Sequence, residues 1–279
     1  MNLNLDFSNQ QHRIPSIPES AKRLIELLQA PQVDPGDVIQ EIESDPLALR
    51  YALRMAQALQ PADASDGQSL LAVMDAYSFQ DCLEWGLAGA LQPMLTPNQD
   101  NDVLNDLYLH SLATAFCSIL LARECKCQSQ RFLFLSGLLH DVGLTVLIRG
   151  LGVDFGSTVE LAAEEAISID EAERKRLGCD HGEVGAQSVT TWSNIQPIID
   201  VAKFHHRPDQ YEGPHQRMLD FVHVADTLSR MVGIGIGNEG LAFHTSVEAE
   251  KRIGYTPEIE ENVVYFLLAG MEVLQQEVC

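Results

Sequence analysis

Basic residues are scarce in this sequence: 18 lysines and arginines stand against 40 aspartates and glutamates, a formal charge of −22 over 279 residues. A surface that acidic repels phosphate backbones and anionic lipid, so neither a nucleic-acid nor a membrane partner is expected. The densest basic group, Arg174-Lys175-Arg176, is short, lies among acidic residues and reads as a solvated helix face. Long apolar runs are missing too. None approaches the ~18 residues that a membrane span needs. The start of the chain has no basic region followed by an apolar core, so it does not read as a secretory signal, and the expected location is the cytoplasm. Cysteine is thin: six residues are scattered, and only Cys125 and Cys127 are close. One Cys-x-Cys without a second pair is weak evidence for zinc, and wide scatter in a long chain is no disulfide framework. All six are expected to be reduced. Alternating strand-like segments are also absent, which leaves an all-α protein with an aliphatic core, only 6% of its residues being aromatic.

Helix signals are plentiful. Residues 1–13 read as a poorly ordered leader. Ser16-Ile17-Pro18-Glu19 has the form of a capping box ahead of a helix bearing Leu24, Ile25, Leu27 and Leu28. Asp34-Pro35 and Asp45-Pro46 each pair an N-cap with proline at the first helical position. The third helix carries Leu47, Leu49, Leu53 and Met55. A loop at 60–68 precedes helices near 69–77 and 79–92, the latter stopping before Pro93. Pro97 to Asp102 is a polar boundary. Beyond it come helices at 102–124, 132–148, 159–176, from Asp180 to Trp192, from Pro197 to His206, and at 217–232. Gly233 to Gly240 reads as a linker, and Thr256-Pro257 caps a final helix with Val263, Phe266, Leu267 and Leu268.

One stretch stands out. His140 and Asp141 are adjacent in an otherwise apolar run from Phe132 to Ile148, which reads as a mostly buried helix. Burying an unpaired charge costs several kcal/mol, about 3–5 when one partner of a buried pair is lost, so this pair needs partners. Of nine histidines, His12, His215, His223 and His244 lie in loops or lack a ligand-type neighbour. The rest fall on helices in the order His110, His140-Asp141, His181 and His205-His206, followed by Asp226. Imidazoles and carboxylates from facing helices are how a helical bundle builds a metal site. Imidazole suits Zn, Fe, Ni or Cu, and added carboxylate admits Mn or Fe. The plainer alternative is a hydrogen-bonded His-Asp pair with no metal. Glu183, near His181, is a weaker carboxylate candidate. Trp85 and Trp192 read as core residues.

That order, with Ile14-Pro15-Ser16-Ile17-Pro18, Ile42-Glu43-Ser44-Asp45-Pro46, Gly137-Leu138-Leu139-His140-Asp141-Val142-Gly143, Leu177-Gly178-Cys179-Asp180-His181, His205-His206-Arg207-Pro208 and Val224-Ala225-Asp226, resembles the HDOD family. This family of HD-related output domains of bacterial signalling proteins lies within the HD superfamily of metal-dependent phosphohydrolases. The resemblance spans about residues 14–232. It implies an N-terminal helical lobe (14–97) packed on a C-terminal HD-type helical core (98–279, with the C-terminal helix). In the superfamily's catalytic members His110, His140, Asp141 and Asp226 would hold a first metal. His181, His205 and His206 match positions that hold a second metal or contact phosphate. One or two ions of Fe, Mn, Zn or Mg are implied, acidifying water and clamping phosphoryl oxygens.

Two departures count against catalysis. Cyclic-dinucleotide phosphodiesterases of the related HD-GYP branch carry lysine where this chain has Leu144, and a Gly-Tyr-Pro that the segment Arg207 to Pro214 lacks. The expectation is therefore a non-catalytic regulator that works through contacts with a signalling protein. The alternative is a phosphohydrolase, in which Asp141 and His205 would be the catalytic residues.

Overall fold

The structure is a computed structural model that describes residues 14–59, 69–96, 102–127, 131–150, 152–234 and 245–275. The leader, the 60–68 loop, most of the polar boundary after Pro97, and most of the glycine-rich segment lie outside the described residues. Among the described residues every regular element is helical. The helices are α1 (Glu19–Gln29), α2 (Pro35–Ser44), α3 (Pro46–Ala58), α4 (Leu70–Ala76), α5 (Phe79–Leu95), α6 (Asp102–Glu124), α7 (Leu133–Leu139) and α8 (Val142–Thr145). After a π-helical turn, Val146–Gly150, come α9 (Phe155–Glu165), α10 (Ile169–Leu177), α11 (His181–Trp192), α12 (Gln196–Phe204), α13 (Gln216–Met231), α14 (Val247–Ile253) and α15 (Pro257–Leu274).

The caps explain several starts. Asp34 accepts from Gly36 N, and Asp45 accepts from Leu47 N and Ala48 N, each with proline at the first helical position. Asp45 also accepts from Ser20 Oγ at 2.6 Å, which ties α1 to α3. Ser16 is not a cap. Pro18 holds that position, its carbonyl accepts from Lys22 N, and the serine lies too far upstream. The inward face of α3 is Ala48, Tyr51, Ala52, Met55 and Ala56, rather than its leucines, of which Leu47, Leu49 and Leu53 are only half-buried. Helix α5 runs past Pro93 to Leu95, because burial of Met94 and Leu95 offsets the one backbone bond that proline removes.

One apolar core runs from Ile17 to Leu274. Helix α3 packs on α5 and on α15, and α6 packs on α7, α13 and α15. The buried Tyr51 and Tyr108 hydroxyls share a hydrogen bond between α3 and α6. Helix α6 is long and apolar enough to cross a membrane by composition, which no unbroken apolar run announces. Yet 72% of its most apolar window is buried inside the fold, as a core helix requires.

The apolar run is not one helix. It breaks at His140-Asp141, between α7 and α8, where Asp141 has φ −99° and ψ 13°. This bridge conformation is sparsely populated and recurs at functional sites. The charged stretch near 159–176 breaks as well: Ala166 adopts a left-handed conformation, and Ser168 and Glu171 form a capping box for α10. Helix α14 has no counterpart in the sequence expectation. On α15, Val263 and Leu267 face in, whereas Phe266 and Leu268 are exposed.

Two glycines set how closely helices approach the break. At Gly137 a side chain would meet the Ala115 backbone of α6 at 2.6 Å. At Gly143 a Cβ would land on the His181 carbonyl oxygen. Glycine here lets α8 lie against α11, so that Asp141 and His181 share one site. Glu84 of α5 anchors the other end of α7 by accepting from Phe132 N at 2.7 Å. Gly143→Ala should therefore cost about 1–3 kcal/mol or more by overpacking. Urea unfolding checks this: a midpoint equal to the wild type's would show that α8 and α11 do not need this contact.

Candidate metal centre

All seven residues expected to form a site converge at the break. His110 comes from mid-α6, His140 and Asp141 from the α7–α8 junction, His181 from the first position of α11, His205 and His206 from the end of α12, and Asp226 from mid-α13. All are buried except His206, which is half-buried.

Four of the histidines are oriented from behind. His110 Nδ1 lies 2.9 Å from Ile234 O, His140 Nδ1 2.7 Å from Gly137 O, and His205 Nδ1 2.9 Å from Ala202 O. His181 Nδ1 lies 2.7 Å from Glu173 Oε2. A ring that donates through Nδ1 turns its Nε2 lone pair inward, as metal-binding histidines characteristically do.

The Nε2 atoms meet Asp141 in two halves. In the first half, Asp141 Oδ2 lies 3.2 Å from His140 Nε2 and 3.8 Å from His110 Nε2. Asp226 Oδ1 completes this half, 2.8 Å from His110 Nε2 and 3.7 Å from His140 Nε2. In the second, Asp141 Oδ1 lies 3.1 Å from His205 Nε2 and 3.3 Å from His181 Nε2. His181 Nε2 is in turn 2.9 Å from His206 Nε2 and 3.3 Å from His205 Nε2.

This donor set fits a divalent metal. His110 Nε2, His140 Nε2 and Asp141 Oδ1 are buried and make no hydrogen bond with proper geometry, although each has a close neighbour. The donors Asp141, His181, His205 and His206 lie within 4.8 Å of one another, as do His110, His140 and Asp141. Buried lone pairs aimed at one another are unfavourable unless a positive charge stands between them. Imidazole with carboxylate suits Zn, Fe or Mn.

Residues 87–208 match the HDOD domain family. The chain carries an HDOD domain. No curated protein matches the sequence. Among solved structures, an HDOD domain protein of unknown function from Geobacter sulfurreducens aligns with a TM-score of 0.71 at 20% identity, over 97% of this chain and 94% of that one. A candidate phosphohydrolase from Shewanella amazonensis SB2B aligns with a TM-score of 0.75 at 16% identity, over 98% and 97%. A candidate signal transduction protein from Marinobacter aquaeolei VT8 gives 0.68 at 20%, over 95% of this chain and 59% of that one. At such identities the likeness is one of fold. The HDOD match contains the first six of the seven residues, and Asp226 lies beyond it.

Three supporting residues of the site are absent from the sequence expectation. Arg230 donates from Nε to Asp226 Oδ1 at 2.8 Å, and its Nη2 lies 3.4 Å from Asp141 Oδ2. Its signal was present, since it follows Asp226 by one helical turn. Glu173 backs His181 from eight residues upstream, in a segment that reads as solvated, and no local pattern marks it. His223, for which the sequence shows no second ligand-type neighbour, is buried. It donates from Nδ1 to His205 O at 2.7 Å and accepts from Ser246 N at 2.9 Å. Glu183 is exposed and its backbone amide caps onto Asp180, outside the cluster. Trp85 is core, and the half-buried Trp192 donates to Pro15 O.

Without metal, protons must supply part of the positive charge. Burial opposes a charged His140, but the Asp141 and Asp226 carboxylates outweigh it and push its pKa up to about 9. Burial likewise opposes a charged His181, and Glu173 and Asp141 raise it well above the ordinary value. Burial lowers His205 and, with the neighbouring His205 and His181, holds His206 well below. Burial would raise both carboxylates. His140 holds Asp141 well below the ordinary range, and Arg230 with His110 does so for Asp226.

The sign of the pH effect follows. A pKa raised from 6.5 to about 9 on folding gives stability that is complete below pH 6.5 and lost as pH rises through 9. In chelator-treated protein the wild type should therefore exceed His140→Asn by on the order of 3 kcal/mol at mildly acidic pH. That gap should shrink as the pH rises past neutrality. Urea unfolding across the range measures it, and a gap indifferent to pH would show that His140 carries no proton in the folded state.

Proposed function

We propose that this chain is a signalling module that regulates through contacts with a protein partner, and that its HD-type core is a rigid, metal-binding scaffold rather than a catalyst. Burial carries this reading. His110, His140 and Asp141 are 0% exposed, His181 and His205 1%, and Asp226 2%. A phosphoester needs a path to the reacting atoms, and of the seven residues only His206 is half-buried rather than buried. Leu144, where related phosphodiesterases carry lysine, packs with Leu104 and Leu107 and supplies no charge for phosphate.

His110, His140, Asp141 and Asp226, or His181, His205, His206 and Asp141, would hold an ion. A bound divalent ion would add Lewis acidity and tie the α7–α8 junction to α6 and α13 in the first set, or to α11 and α12 in the second. The chain's own residues do the rest. The Nδ1 hydrogen bonds fix the imidazoles, and the apolar walls of α6 and α7 exclude water.

The second reading, a metal-dependent phosphohydrolase, is supported by one observation: a single carboxylate is shared between two donor groups, as two-metal phosphatase sites require. Elemental analysis decides the metal part. Protein purified without chelator or a metal-binding tag should contain Zn, Fe or Mn, and the His140→Ala, Asp141→Ala double variant should contain none and melt lower. Both should leave bis(4-nitrophenyl) phosphate intact. Turnover by the wild type that disappears in the double variant would replace the scaffold reading with the hydrolase.

A further inference from the structure

Resting on the metal reading above, we infer that Arg230 is a resident cation filling the first half of the site, so that the chain binds one metal ion, in the second half, on His181, His205, His206 and Asp141 Oδ1. The guanidinium binds the same two oxygens that face the first-half histidines: Asp226 Oδ1 at 2.8 Å from Nε and Asp141 Oδ2 at 3.4 Å from Nη2. Its side chain is 7% exposed, so this is a buried arrangement and not a surface pair. Helix geometry fixes it there, because Arg230 lies four residues after Asp226 on α13 and shares its face. Arginine stays charged under all protein conditions, so the positive charge is permanent.

A divalent ion among His110, His140, Asp226 and Asp141 would set a second cation against Arg230 on shared oxygens. In a buried site that repulsion is poorly screened. The second half differs. His181, His205 and His206 present three imidazole nitrogens with Asp141 Oδ1, a four-donor set within 4.8 Å. The nearby arginines do not enter it, since Arg174 and Arg207 both bind Asp180. Three nitrogens and one oxygen suit a tetrahedral zinc-like ion.

The test is metal stoichiometry on the full chain, loaded with excess zinc, desalted and measured by mass spectrometry of the elements, with circular dichroism to confirm folding. The wild type should hold one equivalent, His110→Ala one and His206→Ala none. Arg230→Met, which keeps the bulk and removes the charge, should rise to two. Two equivalents in the wild type, or loss of zinc from His110→Ala with retention in His206→Ala, overturns the inference and leaves the metal reading standing. Absence of zinc from both the wild type and Arg230→Met overturns the two together. Should Arg230→Met fail to fold, the wild type and the two histidine variants still decide.

Discussion

Asp141 offers one carboxylate oxygen to each of two groups of imidazoles, and the arrangement of the C-terminal helices follows from keeping it there. The carboxylate is fully buried. An unpaired charge in such a place is destabilising by several kcal/mol, so the helices that carry its partners must close on it. The chain meets this demand by breaking the α7–α8 helix at the His-Asp pair. A continuous helix would turn the carboxylate along one face. The break, with Asp141 in a bridge conformation, lets its two oxygens address α6 and α13 on one side and α11 and α12 on the other.

The surrounding structure serves that geometry at several levels. Glycine at 143 removes the side chain that would hold α8 away from α11. Glu84, from α5, fixes the start of α7 and so the depth at which its far end delivers His140. Backbone carbonyls hold three imidazoles, and Glu173 holds the fourth. His223 links the His205 carbonyl to the start of α14, which connects the second half of the site to the last helices. Rigidity here comes from hydrogen bonds behind the rings, and the inward nitrogens are left to whatever cation is present.

Much of this was readable in the sequence, and what was not has physical causes. The cap-and-proline pairs Asp34-Pro35, Asp45-Pro46 and Thr256-Pro257 announced helix starts, because their chemistry is local. The convergence of the seven candidate residues was readable because histidines and aspartates on apolar helices are rare enough to seek one another. The failures are of two kinds. Periodicity does not reveal a break inside a uniformly buried run, so the interruption at His140-Asp141 was missed. Nor does spacing reveal a partner chosen by tertiary packing, which is why Glu173 and His223 went unnoticed. The inward face of α3 failed for a related reason: where α5 approaches closely, alanines are buried and leucines sit at the margin.

Three kinds of positive charge are available to the cluster, and they differ in how they can be exchanged. A proton on His140 or His181 leaves as the pH rises. The Arg230 guanidinium never leaves. A metal ion leaves only when chelated, and its affinity grows as the histidines lose their protons. A hydrolase needs its cation reachable by substrate, and it needs further charge for the phosphate. Here the side chains that would hold a cation are buried, the Arg230 charge is fixed to the protein, and Leu144 packs into the core. Such a site is suited to joining five helices into one unit, with Asp141 as the point at which its two halves meet.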